Sequence, residues 1–290
     1  VLICREVKKN WVVFTNPFPN AMEITEAIHT RKGARSFADL RPEVVAYLNQ
    51  GKLASANLVE WLAIDHYTLL GHALQEVGLP HLHKAVWLPM EKVTKITAMK
   101  CLQTVGPLLA GHAADHPGLE PFFRHHVSDT LRCYGAYMSG YPQGLSFAGK
   151  LKRIRPYAAD PHFGVREIAW MAIRHEIIAQ TEEALRLLSS WVFDPDPYIR
   201  RFASESTRPR GVWCNHIPLL VDQPSLGFPL LDPLHADPEK YVQDSVGNWL
   251  NDAARKHPEQ VADLCRQWVE KSGVKATQRI AMKATRSLGK

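Results

Sequence analysis

The chain has 290 residues, 46% hydrophobic and 22% charged, a balance that supports a sizeable core and argues against disorder or a collagen-like repeat. Lys and Arg exceed Asp and Glu by 35 to 29, a net charge of +6, which suits a polyanionic partner and equally suits simple solubility. Five cysteines (Cys4, Cys101, Cys133, Cys214, Cys265) are odd in number and never spaced as CxxC, which argues against a disulfide framework or zinc ribbon and for a reducing, cytoplasmic setting.

Residues 1–21, "VLICREVKKNWVVFTNPFPNA", are read as an N-terminal extension, and "WVVF" within them is the one strand-like run. From Met22 the pattern turns helical, and residues 22–290 are expected to form a single all-α domain. "SANLVEWLAIDHYTLLGHALQEVG" carries Leu58, Leu62, Ile64, Leu69, Leu70 and Leu74 at helical spacing and closes on Gly78, a stop signal. "EKVTKITAMKCLQTVGPLLAGH" repeats the pattern with Val93, Ile96, Met99, Leu102 and Val105. His112 and His116 of "HAADH" lack a third ligand at metal-binding spacing, so no metal and no other cofactor is expected. No apolar run approaches the ~20 residues of a membrane span, so no membrane partner is expected. P-loop, GxGxxG and GxSxG motifs are absent.

The second half repeats. Asp-Pro pairs at 160, 194 and 237 open "ADPHFGVREIAWMAIR", "FDPDPYIRRFASESTR" and "ADPEKYVQDSVGNWLND", and a degenerate fourth copy starts at Gly273. Each copy supplies an Asp able to cap a helix and a Pro for its first turn. Second helices such as "TEEALRLLSSWVF" and "PEQVADLCRQWVEKSG" lie between copies, so the unit is a helix pair and the expected fold is an α-solenoid of HEAT-like helical repeats. Arg166, Arg200 and Gln243 follow the Val or Ile of successive copies. They form either a basic stripe that tracks a phosphate backbone or arginines paired with the repeated aspartates.

One stretch carries an unusual charge pattern. In "YIRRFASESTRPRGVW", Arg201, Glu205 and Arg208 share a helix face at i, i+4 and i+7. Arg200 and Arg210 flank them, and Trp213 follows the break at Pro209. Guanidinium groups around Glu205 keep it ionised. An ionised carboxylate beside a sugar stabilises positive charge on the ring and orients water, an effect of a few kcal/mol. The alternative is a surface Arg–Glu–Arg ladder without chemistry, contributing under ~1 kcal/mol.

These residues carry a resemblance. "RRFASESTRPRGVW" resembles the pattern RR-x-x-SEG-[ST]-RPR-x-x-W of the AlkC branch of the AlkC/AlkD superfamily of DNA alkylation repair glycosylases. "YVQDSVGNWLNDAARKHPE" resembles its partner motif, YVR-x-SV-x-N-x-LND-x-x-x-x-HP, through Tyr241, Val242, Ser245, Val246, Asn248, Leu250, Asn251, Asp252, His257 and Pro258. The resemblance implies a monomeric HEAT-like solenoid that grips double-stranded DNA. It also implies hydrolysis of the N-glycosidic bond of a cationic alkylated purine such as 3-methyladenine, as the first step of base excision repair and without base flipping. It makes Glu205 the electrostatic and water-orienting carboxylate, and Asp252 a second acid or a structural cap. DNA contacts are expected from Arg166, Trp170, Arg174, Arg200, Arg201, Arg208, Arg210, Trp213, Asn248 and Asn251.

The chain departs from the pattern in three places. Trp170 or Met171 stands where the preceding repeat of such proteins carries a glutamate, with Glu167 one turn earlier as a substitute. Trp170 is then either an aromatic contact to DNA or a core ring. "SEST" replaces "SEG", and Gln243 replaces an arginine. A non-catalytic DNA-binding repeat protein and a protein–protein scaffold are the competing readings.

Overall fold

The computed structural model describes residues 24–142 and 144–288, and every regular element among them is helical. The strand candidate at residues 11–14 and the extension at 1–21 lie outside the described residues. Among the described residues no helix is long and apolar enough to cross a membrane. The described residues divide into two compact units, one on each side of the boundary between residues 138 and 139.

In the first unit, the long helix expected before Gly78 is two helices, α1 (Leu58–Leu62) and α2 (His66–Glu76). Asp65 makes the break: its carboxylate accepts from the backbone N–H groups of Tyr67 at 3.0 Å and Thr68 at 3.2 Å, so it caps a new helix instead of continuing the old one. Thr97 likewise starts α3 (Ala98–His112) by accepting from Lys100 N–H at 3.2 Å, leaving the "EKVTKI" segment outside the helix. Leu69, Leu70 and Leu74 of α2 and Leu102, Val105 and Leu109 of α3 are all fully buried, as are Tyr134 and Tyr137 of α4 (Asp129–Gly140). Each such side chain contributes about 1.5–3 kcal/mol of hydrophobic stabilisation.

The second unit contains the repeats. Its longer helices are α5 (Phe147–Ala158), α6 (Phe163–Ala172), α7 (Thr181–Leu188), α8 (Pro197–Ser206), α9 (Lys240–Ala254), α10 (Pro258–Ser272) and α11 (Lys275–Thr285). Helix α8 packs against both α6 and α9, and α9 packs against α11. The α9–α11 crossing is close: a Cβ added at Gly247 would lie 2.8 Å from the Cβ of Lys283, so that position has room only for glycine.

The Asp-Pro pairs do not cap these helices directly. Asp160, Asp194 and Asp237 each accept, through Oδ1, from the backbone N–H two residues on, at 2.7, 2.9 and 2.9 Å. That Asx turn sets up the next residue as N-cap, and His162 and Asp196 then accept from Gly164 and Tyr198 N–H. The residue six positions after each Asp straps the turn to its helix. Arg166 Nη1 donates to the carbonyls of Asp160 and Pro161, at 2.7 and 2.8 Å. Arg200 Nη1 donates to Asp194 and Pro195 at 2.9 and 3.1 Å, and Gln243 Nε2 to Asp237 and Pro238 at 2.8 and 3.3 Å.

Charge also links one copy to the next. Arg155 pairs with Asp194, and Arg200 grips Asp237 through Nε at 2.7 Å and Nη2 at 3.1 Å. Arginine and glutamine are interchangeable at the strap because both place N–H donors within reach of two carbonyls. Arg166→Ala and Arg200→Ala are therefore each expected to lower stability by about 2–4 kcal/mol in urea unfolding, since the buried Asp160 carbonyl and the buried Asp237 carboxylate respectively lose a charged donor. A cost below about 0.5 kcal/mol would mark the side chains as surface groups instead.

Candidate active site

Helices α6, α8 and α9 each contribute an acid to one continuous network. Arg201 Nη2 donates to Glu167 Oε1 at 2.5 Å and lies 3.6 Å from Glu205 Oε2. Arg208 Nη1 donates to Glu205 Oε1 at 2.7 Å, and its Nε and Nη2 reach Asp252 Oδ2 at 2.9 and 2.8 Å. The order Glu167–Arg201–Glu205–Arg208–Asp252 alternates in sign across the three helices, with one more carboxylate than guanidinium. Ser245 Oγ donates to Glu205 Oε2 at 2.7 Å and accepts from Ser204 Oγ at 2.8 Å.

Burial grades this ladder. The side chain of Glu205 is 4% exposed and that of Asp252 9%, whereas that of Glu167 is 34% exposed. Glu167 is thus the end that meets solvent. Burial disfavours the charge on Glu205, but Arg201 and Arg208 outweigh it, and hydrogen bonds from Arg208 and Ser245 add to them, so its carboxyl titrates below the ordinary value. For Asp252 burial dominates over Arg208, and the charge on Glu205 adds to it, so its carboxyl titrates above the ordinary value. The two buried acids share Arg208, which helps draw Glu205 below its ordinary value but does not offset burial at Asp252.

Aromatic rings frame the exposed end. Trp170 Nε1 donates to Glu167 Oε2 at 3.1 Å, and Tyr241 Oη lies 3.4 Å from Glu167 Oε1. The Arg201 guanidinium sits 4.2 Å from the centre of the Tyr241 ring, and that of Arg166 sits 4.0 Å from the Tyr198 ring. Such cation–π contacts contribute about 0.5–2 kcal/mol each and leave Tyr198 and Tyr241 partly exposed, with Tyr241 beside the carboxylate.

The segment after α8 is held from behind. Arg174, 3% exposed, donates Nε to the Asn215 carbonyl at 3.0 Å, Nη1 to Ser206 at 2.6 Å and Nη2 to Arg208 at 2.7 Å. Burial lowers its pKa to about 10, which leaves it charged at neutral pH. Ile217 N–H donates to the Pro209 carbonyl at 2.9 Å and closes the loop. Trp213, near its tip, adopts φ 63° and is 45% exposed. For a bulky L-residue that left-handed conformation costs about 1–2 kcal/mol.

The structure brings Glu167, Arg201, Glu205, Arg208 and Asp252 into one cluster. Arg166, Arg174 and Arg200 spend their guanidinium groups on backbone carbonyls and, for Arg200, on Asp237. Trp170 is a core ring, 3% exposed, that orients Glu167. Asn251 is 2% exposed and donates to the Ala284 carbonyl at 3.0 Å, tying α9 to α11, while Asn248 is half-buried. Arg210 is half-buried and its Nε has no hydrogen-bond partner among the described residues. The sequence reading did not assign roles to Ser245 and Tyr241, although 241, 245, 248 and 252 lie on one face of a helix, a signal available from spacing alone.

Residues 165–288 match the family described as DNA alkylation repair enzyme. Over 97 residues the chain is 36% identical to the uncharacterized protein YhaZ of Bacillus subtilis, a match covering 33% of this chain and 27% of that protein. Among solved structures, the Pseudomonas fluorescens alkylpurine DNA glycosylase AlkC, bound to DNA containing an abasic site analogue, aligns with TM-score 0.63 at 20% identity. That alignment covers 88% of this chain and 65% of the glycosylase, so the chain spans a little under two-thirds of that protein's length. AlkD2 from Streptococcus mutans aligns with TM-score 0.56 at 21% identity, over 75% of this chain and all of that one. At such identities the structural likeness is one of fold. The matched segment, 165–288, holds the whole ladder from Glu167 to Asp252, and the fold of HEAT-like helical repeats is similar to those of AlkC and AlkD2.

Proposed function

We propose that this protein excises cationic alkylated purines, of the 3-methyladenine or 7-methylguanine type, from double-stranded DNA by hydrolysing the N-glycosidic bond. The observation that carries this reading is the alternating ladder that joins Glu167, Glu205 and Asp252 through Arg201 and Arg208. A guanidinium has five N–H donors, so Arg201 and Arg208 retain donors for phosphates flanking the lesion. The sugar between those phosphates then faces the carboxylates. An alkylated base that is already cationic leaves without protonation. The chemical demand falls on stabilising the oxocarbenium ion and on a positioned water. Glu205 supplies the ionised carboxylate for both tasks, with Glu167 as the solvent-facing acid beside it. No cofactor is required, and a single copy of the chain, working in the cytoplasm, suffices.

The test is direct: duplex DNA carrying methylated purines is incubated with the protein, and released bases are quantified by chromatography. Release at the spontaneous rate rejects the proposal. One observation favours a second reading, a DNA-binding repeat protein without excision. Both carboxylate oxygens of Glu205 are occupied, by Arg208 and by Ser245. Salt-sensitive DNA binding with no base release is the outcome that reading predicts.

A further inference from the structure

Two unlike donors hold the Glu205 carboxylate. Arg208 Nη1 reaches Oε1 at 2.7 Å, and Ser245 Oγ reaches Oε2 at 2.7 Å. Arg201 stands 3.6 Å from Oε2, beyond hydrogen-bond range, and gives its Nη2 hydrogen to Glu167 instead. Among the described residues, the hydrogen bond to Oε2 therefore comes from a neutral hydroxyl, that of Ser245, which is 1% exposed.

A second hydroxyl stands behind the first. A serine hydroxyl has one hydrogen and two acceptor positions. Ser245 gives its hydrogen to the carboxylate, so it is the acceptor toward Ser204 Oγ, 2.8 Å away. Ser204 is 0% exposed, and its one hydrogen has two acceptors in reach, Ser245 Oγ and the Arg201 carbonyl at 3.0 Å. The charge on Glu205 favours the bond to Ser245, because a chain of hydroxyls that ends on an anion polarises each bond in turn. Alanine at both positions would leave no buried hydroxyl to satisfy where α8 meets α9. The carboxylate gives the pair its purpose.

Hydrogen bonds from ionised donors are roughly twice as strong as those from neutral ones. Oε1 thus yields more of its charge to Arg208 than Oε2 yields to Ser245, and Oε2 is the more basic oxygen. A carboxylate has about four lone-pair positions. The two bonds take one position on each oxygen, so Oε2 keeps a position for a water even though both oxygens are engaged.

We propose that Ser245, backed by Ser204, is a positioning residue that fixes the Glu205 carboxylate with the free lone pair of Oε2 toward the water that attacks the sugar. This rests on the proposed function, in which Glu205 orients that water. The electron pair of the glycosidic C–N bond leaves with the cationic base, which departs neutral. The water oxygen bonds to C1′, Oε2 takes one of the water's protons, and that proton later passes to solvent.

The experiment uses the full chain as wild type, Ser245→Ala, Ser204→Ala, Glu205→Gln and the double variant Ser245→Ala/Glu205→Gln. Base release from a duplex with one 7-methylguanine is followed at saturating protein, and the Glu205 carboxyl is titrated by carbon-13 NMR, its signal assigned by its loss in Glu205→Gln. Ser245→Ala should slow release about tenfold or more, the scale of one lost hydrogen bond to a charged group, with duplex affinity changed less than about twofold. Its Glu205 carboxyl should titrate higher than in wild type, since the charged form loses a donor. Ser204→Ala should shift both readouts in the same direction by less. In the Glu205→Gln background Ser245→Ala should slow release no further, because it acts through the carboxylate. Urea unfolding of each variant checks that the fold is retained. A Ser245→Ala protein with unchanged rate and unchanged Glu205 titration overturns the positioning role. So does an equal slowing in the Glu205→Gln background, which marks a packing effect. If wild type releases no base above the spontaneous rate, the proposed function fails and the positioning role with it. If wild type releases base while Ser245→Ala matches it, only the positioning role fails.

Discussion

Arg208→Ala should lower the stability of the protein by about 3–5 kcal/mol, the usual cost of removing one partner from a buried ion pair. The residue bonds Glu205 and Asp252 at once, and both side chains are less than a tenth exposed. Without the guanidinium, two buried carboxylates face each other, and Arg201 stands 3.6 Å from only one of them. Asp252 already titrates above its ordinary value because of burial, and it loses the cation that opposes that shift.

The sign of the pH dependence follows. An acid whose folded pKa is raised destabilises the fold while it is ionised, and this penalty fades as pH falls through the folded value. The deficit of Arg208→Ala should therefore be larger at about pH 7.5 than at about pH 5, as measured by urea unfolding at both. A deficit under about 1 kcal/mol at neutral pH would mean that the ladder is a surface feature.

Glu205→Gln is the second large effect, on rate more than on folding. Glutamine keeps a carbonyl oxygen to accept from Arg208 or Ser245, so the fold should survive, with some loss of stability because Arg201 and Arg208 lose a buried counter-charge. The negative charge beside the sugar is lost, and removing one such electrostatic stabiliser lowers rates by about 10²–10³-fold. A pH signature accompanies the change. Burial acts against the Glu205 charge, but Arg201 and Arg208 hold its carboxyl below the ordinary 4.5. The stability it contributes is complete above that value and disappears as pH falls through the lower folded value. Wild type should lose stability on that acid limb, and Glu205→Gln should show a flatter one. Parallel acid limbs would show that Glu205 is not held ionised.

The ladder and the straps differ in how far they could be read from sequence. Arg201, Glu205 and Arg208 at i, i+4 and i+7 announced a shared face, and the helix they occupy forms as its Asp-Pro-Asp-Pro start implied. The Asp-Pro period also exposed the repeat. It could not distinguish a phosphate-tracking stripe from a strap, because Arg166, Arg200 and Gln243 occupy the same register in either case. The glutamine was the hint: it cannot replace an arginine against phosphate charge, yet it bonds two carbonyls just as well.

Arg174 was illegible for a different reason. Its three acceptors lie 32 to 41 residues further along the chain and are backbone carbonyls, which leave no mark in side-chain pattern. Trp170 sat at an ambiguous helical position, and only packing decided that the ring turns inward with its N–H on Glu167. The split at Asp65 reflects a side chain competing with the helix backbone, a local contest that hydrophobic spacing does not register.

The most direct test of this account is single-turnover base release from a duplex with one 7-methylguanine, at saturating protein, by wild type and Glu205→Gln in parallel. Wild type should release the base at least about a hundredfold faster than the spontaneous rate, and Glu205→Gln should lose most of that acceleration while binding the duplex equally well. Equal release by the two proteins, or no release above the spontaneous rate by either, would contradict it.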